Sequence, residues 1–335
     1  MRTVLLLPAV LAVACLIAPA PLAARDIYVN NLTGSPEYDG GAPTPSETSG
    51  PVHSLEHALR IARKGDRIIM ADTGVPYYES ISLQTAEHCG RPGAPFVIDG
   101  GGAILDGSRP VPPEFWRHYA GKIYYLPLRR RGPYQMLFLA GKPLPRVQFS
   151  EDEPTKLPPL HWGYYNGNIY LRLEDGKLTE DYELSVAWHP VGITLYHVNN
   201  VVISNLTVQG FQLDGINVHD KVDQCILGGL VCRGNGRSGI TVAGSSNAII
   251  EGCLLGDNGA AQLWVEGYST VEVLESELLS NTAPPVVQRG GRLNITPPKS
   301  QQGEAPNGSA PMQPGDDAPG DNDDNAAEAG ANPFN

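Results

Sequence analysis

Apolar and polar residues alternate with a period of two in short runs, and these runs recur every 23 or 24 residues between positions 192 and 290. In one copy, Ile216 and Val218 point to one side of the chain and Asn217 and His219 to the other, as in a short strand. Aligned copies begin at positions 192, 215, 239, 262 and 285. A repeat of this length predicts a stacked array in which each copy buries its apolar side against its neighbours.

A second set of alternating runs lies in step with the first, at 201–208, 225–232, 248–255 and 271–278. Each coil is therefore predicted to hold about three short strands joined by tight turns. The predicted fold class is all-β, a right-handed parallel β-helix solenoid whose rungs lie about 4.8 Å apart. Asn235, Asn258 and Asn281 fall at the same turn, where each amide can bond the coils above and below.

The N-terminal part of the chain contains one helical pattern among several strand patterns. Apolar residues recur at helical spacing between Ser54 and Arg63, and Gly65 follows as a helix terminator. The pattern predicts a short amphipathic helix over these residues. Strand patterns lie at 26–29, 67–71, 80–83, 95–100 and 103–107.

Residues 109–190 interrupt the repeat and are rich in aromatic side chains. Fifteen of the 24 aromatic residues of the chain lie between Phe115 and Tyr196. Alternating runs at 121–126 and 166–173, with turn signals beside them, predict hairpin strands. We expect a small β-rich insert in which most of the aromatic residues form the core.

The two ends of the chain differ from the middle in composition. An apolar run from Val4 to Ala18 follows Arg2 and precedes small residues, which predicts a secretory signal peptide over 1–24. Between Glu304 and Asn335 there are seven acidic residues and no basic one, so 297–335 is predicted to be a disordered acidic tail. The predicted domains between them are a cap with the first coils (25–108), the insert (109–190) and the remaining coils (191–296). The expected location is secreted, periplasmic or at the cell envelope of a bacterium.

Charge and cysteine content narrow the classes of partner. The net charge of −12 comes partly from the tail, and the absence of a basic stripe argues against nucleic acid. No segment after the signal is predicted to span a membrane, and we expect a monomer. Cys225, Cys232 and Cys253 fall on inward positions and are interpreted as small core residues. Cys89 lies in a loop without an evident partner. A metal site formed with the adjacent His88 is conceivable, but no further ligand in the sequence supports it.

The repeat also aligns outward-facing side chains of successive coils in vertical columns. One column contains Tyr196, His219, Glu266 and Arg289, which are the candidate catalytic residues. Tyr196 and His219 lie one rung apart, roughly 5 Å, which suits proton transfer. Arg289 can hold a substrate carboxylate, and Glu266 lies two rungs, roughly 9 to 10 Å, from His219. The alternative for His219 is an ordinary surface histidine at a strand end.

The neighbouring outward column contains Asn217 and Trp264. An outward tryptophan on a flat parallel sheet predicts a platform on which the apolar face of a sugar stacks; a contact with the insert or a loop is the alternative. Asp214 and Arg237 occupy equivalent turns of adjacent coils, where an exposed ion pair or a substrate contact both fit. The candidate substrate-binding residues are therefore Trp264, Asn217, Arg237 and Asp214.

The N-terminal segment also carries a family resemblance. Its runs IYVNN, GPVHSLEHALRIARKGDRIIMADTGVPYYESISL and PFVIDGGGAILDG resemble the first coil of secreted bacterial proteins of the pectin-lyase-like right-handed β-helix superfamily. Together with the coils, the resemblance covers residues 26–107 and 188–290, and 137–146 is similar to a segment of some glycan-active β-helix proteins. The resemblance implies the capped solenoid, but the superfamily includes lyases, hydrolases and proteins without known activity.

Two functions stay open on the sequence, and both have a polysaccharide as partner. In one, the protein is an exported enzyme acting on an acidic glycan, more readily a lyase than a hydrolase, in which Tyr196 or His219 transfers the proton and Arg289 neutralises the carboxylate. In the other, it is a non-catalytic carbohydrate-binding or envelope protein. This sequence lacks both the cluster of three aspartates that polygalacturonases of this fold carry and the Arg-Pro motif of the main pectate lyases, which favours the second function. Neither function needs a cofactor, and Asp220 with Asp223 gives only a weak indication of Ca²⁺.

Overall fold

The computed structural model describes residues 24–128, 134–149, 154–296 and 298. The predicted signal peptide and acidic tail lie outside the described residues, except for Ala24 and Pro298. Within these ranges the α-helical structure is confined to Leu55–Ile61, and strands and turns make up most of the remainder. The predicted all-β fold class is therefore confirmed.

Parallel strands stack into three faces of a β-helix. Face 1 consists of Ile81–Leu83, Ile193–Tyr196, Asp214–His219, Ser238–Val242 and the first parts of the long strands Ala261–Leu274 and Val286–Thr296. Face 2 consists of Asp26–Val29, Arg67–Met70, Phe96–Asp99, Asn199–Ser204, Asp223–Gly228, Asn247–Glu251 and the second parts of those long strands. Face 3 consists of Ile104–Asp106, Thr207–Gln209, Val231–Arg233, Leu254–Gly256 and Glu277–Leu278.

Side chains one lap apart along the chain are vertical neighbours, as the repeat predicts. Ile216 on face 1 pairs with Ile193 in the preceding coil and with Ile240 in the following one. All three are fully buried in one continuous core that runs along the solenoid. Burying a side chain of this size stabilises the fold by about 1.5–3 kcal/mol, so the stack is held by the interior rows of aliphatic residues.

The cysteines of the coils belong to the same interior. Cys225, Cys232 and Cys253 are buried and unpaired, as predicted for small core residues. Burial raises the pKa of the Cys225 thiol to about 12 and that of the Cys253 thiol to about 11, because an apolar interior disfavours the thiolate. These thiols therefore remain protonated at neutral pH.

A ladder of asparagines supports the corner between faces 3 and 1. The side-chain Nδ2 of Asn235 donates to Oδ1 of Asn258 at 3.1 Å, and the backbone N–H of Phe211 donates to Oδ1 of Asn235 at 3.1 Å. Asn235 and Asn258 are completely buried, so these bonds satisfy polar groups that water does not reach. The bonding between coils that the 23-residue spacing predicts is present.

The corner between faces 1 and 2 has left-handed backbone in five successive coils, whereas Thr85, at the equivalent position of the first coil, is extended (φ −118°). In the later coils the position is occupied by glycine: Gly244 (φ 71°), Gly267 (φ 73°) and Gly290 (φ 118°). In the two coils before them it is occupied by His197 (φ 54°) and Asp220 (φ 71°). A side chain in this conformation costs roughly 1–2 kcal/mol, less for Asp or His than for a bulky residue. Two of these corners therefore hold a histidine and an aspartate at positions where glycine would have less backbone strain.

The helix Leu55–Ile61 covers the first coils, as predicted. The Oγ of Ser54 accepts from the backbone N–H of His57 at 3.2 Å, and Glu79 accepts from the N–H groups of Leu55 and Glu56 at 3.1 and 3.0 Å. These bonds satisfy donors that a helix start leaves unpaired. Leu55, Ala58 and Leu59 face the solenoid core.

The insert leaves the solenoid after the face 3 strand Ile104–Asp106 and returns at the face 1 strand Ile193–Tyr196. It contains two antiparallel sheets. One consists of Ser108–Pro110, Leu137–Leu139, Lys142–Pro143 and Leu184–Ala187; the other of Arg117–Ala120, Ile123–Pro127, Trp162–Tyr165 and Asn168–Arg172. Asn166 and Gly167, both left-handed, form the two-residue turn of the predicted hairpin.

The insert has its own core and contacts one corner of the solenoid. Trp162 and Phe138 are among its buried residues, which agrees with the expectation that most of the aromatics are structural. A Cβ atom placed on Gly234 would lie 3.0 Å from the Phe138 ring, and one on Gly236 would lie 2.7 Å from the carbonyl oxygen of Tyr134. The insert therefore lies beside the N-terminal ends of the face 1 strands. No helix within the described ranges is long and apolar enough to cross a membrane.

Candidate functional site

The outer surface of face 1 carries three groups of polar and aromatic side chains. The buried carboxylate cluster consists of Asp214, Asn217, Arg237, Ser238 and Thr241, at the N-terminal ends of the strands. The histidine cluster consists of Tyr196, His197, His219 and Asp220, at their C-terminal ends. The tryptophan cluster consists of Trp264, Glu266 and Arg289, in the last two coils.

The buried carboxylate cluster is a saturated hydrogen-bond network. The carboxylate of Asp214 accepts from Arg237 Nε (2.9 Å) and Nη2 (2.5 Å) and from Asn217 Nδ2 (2.9 Å). It also accepts from Ser238 Oγ (2.8 Å) and Thr241 Oγ1 (3.0 Å). The hydrogen bond to Asp214 and its charge raise the pKa of Arg237 above its usual value.

These contacts correct the predicted roles of Asp214 and Arg237. Asp214 is fully buried and pairs with Arg237 of the next coil, so the expected inter-rung ion pair is present but buried instead of exposed, and a substrate does not reach the Asp214 carboxylate. A buried charge needs this number of partners because desolvation otherwise costs several kcal/mol. Asn217 orients the same carboxylate, and its own Oδ1 is buried without a hydrogen-bond partner among the described residues.

The histidine cluster brings together the two residues that the sequence places one rung apart. Tyr196 and His219 are in register on adjacent strands, and their ring centroids are 5.0 Å apart. The phenol side is accessible, since Tyr196 is 41% exposed. This adjacency was the geometric premise of the candidate site, and it is present.

His197 belongs to this cluster and was not among the predicted residues. Its ring lies 4.5 Å from the Tyr196 ring, and its Nε2 contacts the Asp220 carboxylate. Asp220 therefore pairs with histidine rather than joining Asp214 and Arg237. The signal available in the sequence was the corner position itself, which holds glycine in the later coils but His197 and Asp220 here. Residues with a side chain that are held in strained, left-handed backbone cluster at functional sites.

The tryptophan cluster differs from the open platform that we predicted. Trp264 lies on the outer side of face 1, since its neighbours Leu263 and Val265 belong to the core, but it is only 7% exposed. The guanidinium carbons of Arg237 and Arg289 lie 5.8 and 4.8 Å from its ring centroid. Trp264 is thus covered and supports two cations, and the prediction that a sugar stacks directly on it is wrong for this conformation.

Arg289 is the exposed cation of this cluster. It is in register with Glu266, whose carboxylate accepts a hydrogen bond of 2.9 Å from Trp264 Nε1. In the part of the chain that the structure describes, the Arg289 guanidinium has no hydrogen-bond or ion-pair partner, and its contact is with the Trp264 ring. Its donors are therefore available to an anion.

An exposed tyrosine that the sequence reasoning missed lies close to Glu266 along the chain. Tyr268 is 88% exposed, and its backbone N–H donates to the carbonyl of Gly244 at 2.7 Å. It follows the left-handed Gly267 at the corner between faces 1 and 2. Its position just outside the alternating run is why the column analysis did not include it.

The four candidate catalytic residues separate into two pairs along the solenoid axis. Tyr196 and His219 occupy adjacent coils, and Glu266 and Arg289 occupy adjacent coils further along. Register through Val218, Val242 and Val265 places Glu266 two rungs from His219 and Arg289 three rungs, or about 10 and 14 Å. Arg289 and His219 are therefore too far apart to act on the same uronic acid residue of a substrate.

The residues considered for metals have other partners. Across the described ranges, no group of three or more His, Cys, Asp and Glu side chains is arranged to hold a metal ion. His88 uses both ring nitrogens, with Nδ1 accepting from Gln84 N–H at 3.4 Å and Nε2 lying 3.2 Å from the Leu59 carbonyl oxygen. Asp223 accepts from Asn247 Nδ2 at 3.0 Å.

Comparison with known proteins agrees with this architecture. Residues 188–296, about a third of the chain, match the family model described as right handed beta helix region. This match confirms the predicted right-handed β-helix over those residues. A search of curated proteins finds no match.

Three solved structures share the architecture at low identity. XylC in complex with xylose is 11% identical (TM-score 0.44, covering 78% of this chain and 64% of that one). A glycoside hydrolase is 12% identical (TM-score 0.48, 76% and 73%), and pectate lyase Pel9A is 12% identical (TM-score 0.39, 79% and 57%). The chain thus spans less than two thirds of the length of the first and third of these proteins.

Proposed function

We propose that this protein binds an acidic polysaccharide along the outer surface of face 1. The observation that carries the proposal is the exposed Arg289 guanidinium, which lies over Trp264 and has no anionic partner among the described residues. A guanidinium presents a planar fork of donors that matches a carboxylate, and the ring beneath it holds the fork in place. A uronic acid carboxylate is the corresponding group on a glycan.

Exposed aromatic residues on the same side of the molecule supply the second element of sugar recognition. Tyr268 and Tyr196 are the exposed rings near the tryptophan and histidine clusters. Apolar sugar faces pack on such rings, while the hydroxyl groups of the sugar remain solvated. In this proposal Trp264 acts beneath Arg289 as a support, and the stacking role moves to the tyrosines.

The repeat gives the surface its shape. Coils about 4.8 Å apart form a flat face on which chemically different side chains follow one another along the axis. An extended chain lying along this axis can contact the histidine cluster and the tryptophan cluster at the same time, since His219 and Arg289 lie three rungs, about 14 Å, apart. Binding over several coils favours a polymer over a monosaccharide.

Cleavage of the glycan is the second candidate, and the histidine cluster favours it. Tyr196 lies between two imidazoles, His197 and His219, and His197 contacts the Asp220 carboxylate. Such a set can take up and return a proton. Arg289 contacts a different sugar of the chain from His219 in this arrangement, because the two side chains lie three rungs apart. Binding without turnover is therefore the primary proposal.

The proposed function is tested by titrating polygalacturonate into the protein by calorimetry. Arg289→Ala should weaken binding by about tenfold or more, the usual effect of losing a charged hydrogen-bond partner. Arg292→Ala is the matched control, because it removes the same charge from face 2 of the same coil. Equal affinities for both variants and the wild type would refute the proposal.

The same samples decide between binding and cleavage. Lyase products absorb in the ultraviolet because elimination creates an unsaturated sugar end, and hydrolase products carry new reducing ends. We expect neither from the wild type under binding conditions. Turnover that is lost in His219→Ala and His197→Ala, but retained in Arg292→Ala, would establish the second candidate instead.

Export to the secreted or periplasmic space belongs to the proposal, because extracellular polymers are met there. It rests on the signal-like composition of residues 1–24. N-terminal sequencing of protein recovered from a bacterial periplasm or medium is the test, and we expect the mature chain to begin near Arg25. An intact Met1 on recovered protein would contradict it.

A further inference from the structure

We propose that a groove between the insert and the first coil is a second binding site for an acidic glycan. Two adjoining cavities of about 500 and 300 Å³ share Arg109, Pro110 and Trp188 in their walls. The larger one lies within the insert and includes Phe115, and the smaller one reaches Tyr78 of the first coil. The two cavities together are called the insert groove.

The size and lining of the insert groove are those of a ligand site. Binding clefts for small molecules typically have volumes of about 300–1,000 Å³, mostly apolar walls and a few placed polar groups. The floor here is formed by the buried Leu126 and Val186 of the insert core, and prolines form much of the remainder. The fold therefore leaves this surface concave and apolar.

Aromatic rings at the rim distinguish the groove from the rest of the insert. Phe115 is 55% exposed and Tyr78 is 53% exposed, whereas Trp162 and Phe138 are buried in the insert core. Large exposed rings gathered at one cavity indicate an interaction surface. Their apolar faces suit the face of a sugar ring.

One cation determines the charge of the preferred ligand. The Arg109 guanidinium carbon lies 4.7 Å from the Trp188 ring centroid, and Arg109 is exposed. The Arg109 guanidinium has no hydrogen-bond or ion-pair partner in the part of the chain that the structure describes, and no carboxylate lines either cavity. A carboxylate held by the guanidinium fork, with its sugar ring against an aromatic ring, satisfies both features.

The insert groove lies at the corner between faces 3 and 1. Tyr77 bridges Leu105 of face 3, and Ile81 begins the first strand of face 1, so Tyr78 lies between the two faces in the first coil. The first coil and the coil of Arg289 are five rungs apart, about 24 Å. One polymer can therefore occupy both sites. This bridging rests on the proposed function of face 1, whereas the groove site itself does not.

The test counts sites with a short probe. In calorimetric titrations with trigalacturonate, we expect two equivalents for the wild type, one for Arg109→Ala, one for Arg289→Ala and none for the double variant. Arg117→Ala, an exposed insert arginine outside the groove, is the matched control and should keep two. Thermal unfolding of each variant checks that the fold is intact.

Each result has a separate meaning for the two sites. If Arg109→Ala keeps the stoichiometry and affinities of the wild type, or if the wild type binds no second equivalent, the groove proposal is overturned while face 1 stands. If Arg289→Ala alone has no effect, the groove stands and the proposed function of face 1 fails. Equal displacement of the probe by polyglutamate would show that the groove selects anions and not sugars, which would also overturn the assignment.

Bridging is tested with a long probe. If both sites hold one polymer, polygalacturonate should bind the wild type at least about a hundredfold more tightly than either single variant, because linking two sites raises affinity without new contacts. Arg109→Lys, which keeps the charge but loses the fork, should fall between the wild type and Arg109→Ala. Affinities for the polymer and the trimer that change in parallel in all variants would contradict bridging.

Discussion

The two ends of face 1 carry carboxylates in opposite surroundings. Asp214 is fully buried and is bonded by Arg237 and three neutral donors, whereas the Asp220 carboxylate is about half exposed and its side-chain partner among the described residues is His197. The first carboxylate holds two adjacent coils together, and the second is accessible to a ligand. Burial, more than residue type or spacing, therefore separates the structural groups on this face from those that a ligand can reach.

The largest expected effect is at the buried end. Asp214→Ala should lower the free energy of unfolding by about 3–5 kcal/mol, because it leaves Arg237 without its buried partner. Asp220→Asn, which removes the charge at the exposed end and keeps a residue that tolerates left-handed backbone, should cost about 0–1 kcal/mol. Urea unfolding followed by circular dichroism measures both. Similar losses for the two variants would contradict the contrast between the ends.

The left-handed corner beside the exposed end gives the next effect. A Cβ atom on Gly267 would lie 2.8 Å from the carbonyl oxygen of Gly244, while one on Gly74, equally left-handed, would meet nothing within 4 Å. Gly74→Ala should therefore cost about 1–2 kcal/mol from backbone strain alone. Gly267→Ala should cost about 1–3 kcal/mol more, because the corners must also move apart. Equal losses would show that coil spacing at this corner is not tight.

The asparagine ladder extends the comparison to the corner between faces 3 and 1. Asn235→Ala should cost about 1–3 kcal/mol, because the Phe211 N–H and the Asn258 amide lose a partner that water cannot replace. Asn281, at the exposed end of the ladder, should tolerate the same substitution with a smaller loss. The measurement is again urea unfolding, and a larger loss at Asn281 would contradict the role of burial.

The smallest effect is a pH dependence at the capped end of the solenoid. Burial lowers the pKa of His88 below 6.5, so the unfolded chain takes up a proton there before the folded one does. Stability is full above pH 6.5 and should fall as the pH drops below it, by at most about 1.4 kcal/mol per pH unit for one proton. His88→Asn should flatten this slope.

His57 provides the comparison for that prediction, since burial also lowers its pKa. His57→Asn should flatten the slope in the same direction, and the double variant should be flatter than either single one. Unfolding free energies measured between pH 5 and pH 8 check this. A His88→Asn variant with the full slope of the wild type would show that His88 is not the group responsible.

The repeat made the backbone of face 1 predictable, because one-lap spacing fixes which residues are vertical neighbours. Tyr196 and His219 were placed correctly for this reason, as were the inward cysteines. The helix followed from its amphipathic spacing. These are local or periodic properties, and a stack of near-identical coils converts them directly into contacts.

What covers a side chain was not predictable in the same way. Trp264 was expected to be open, but it is covered by Arg237 from the preceding coil and Arg289 from the following one. Asp214 was assigned to a surface turn, although its five hydrogen bonds come from residues up to 27 positions away. The period of the repeat predicts the face on which a residue lies, but it does not predict whether long side chains of adjacent coils cover that residue.

His197 and Tyr268 were missed because both lie at corners, where the alternating pattern ends. Comparison of corner residues between coils would have indicated His197, since the later coils have glycine at that position. The insert groove had no sequence signal of its own, because Tyr78, Arg109 and Trp188 come from separate segments that meet only in the folded insert.

The central claim is that Arg289, held over Trp264, is a carboxylate-binding group on face 1. It is tested most directly by nuclear magnetic resonance of the arginine side-chain Nε–H groups during titration with polygalacturonate. We expect the Arg289 signal to shift with saturation, while that of Arg67, which is paired with Asp26 on face 2, stays unchanged. An unshifted Arg289 signal at a polymer concentration that saturates the protein would contradict the claim.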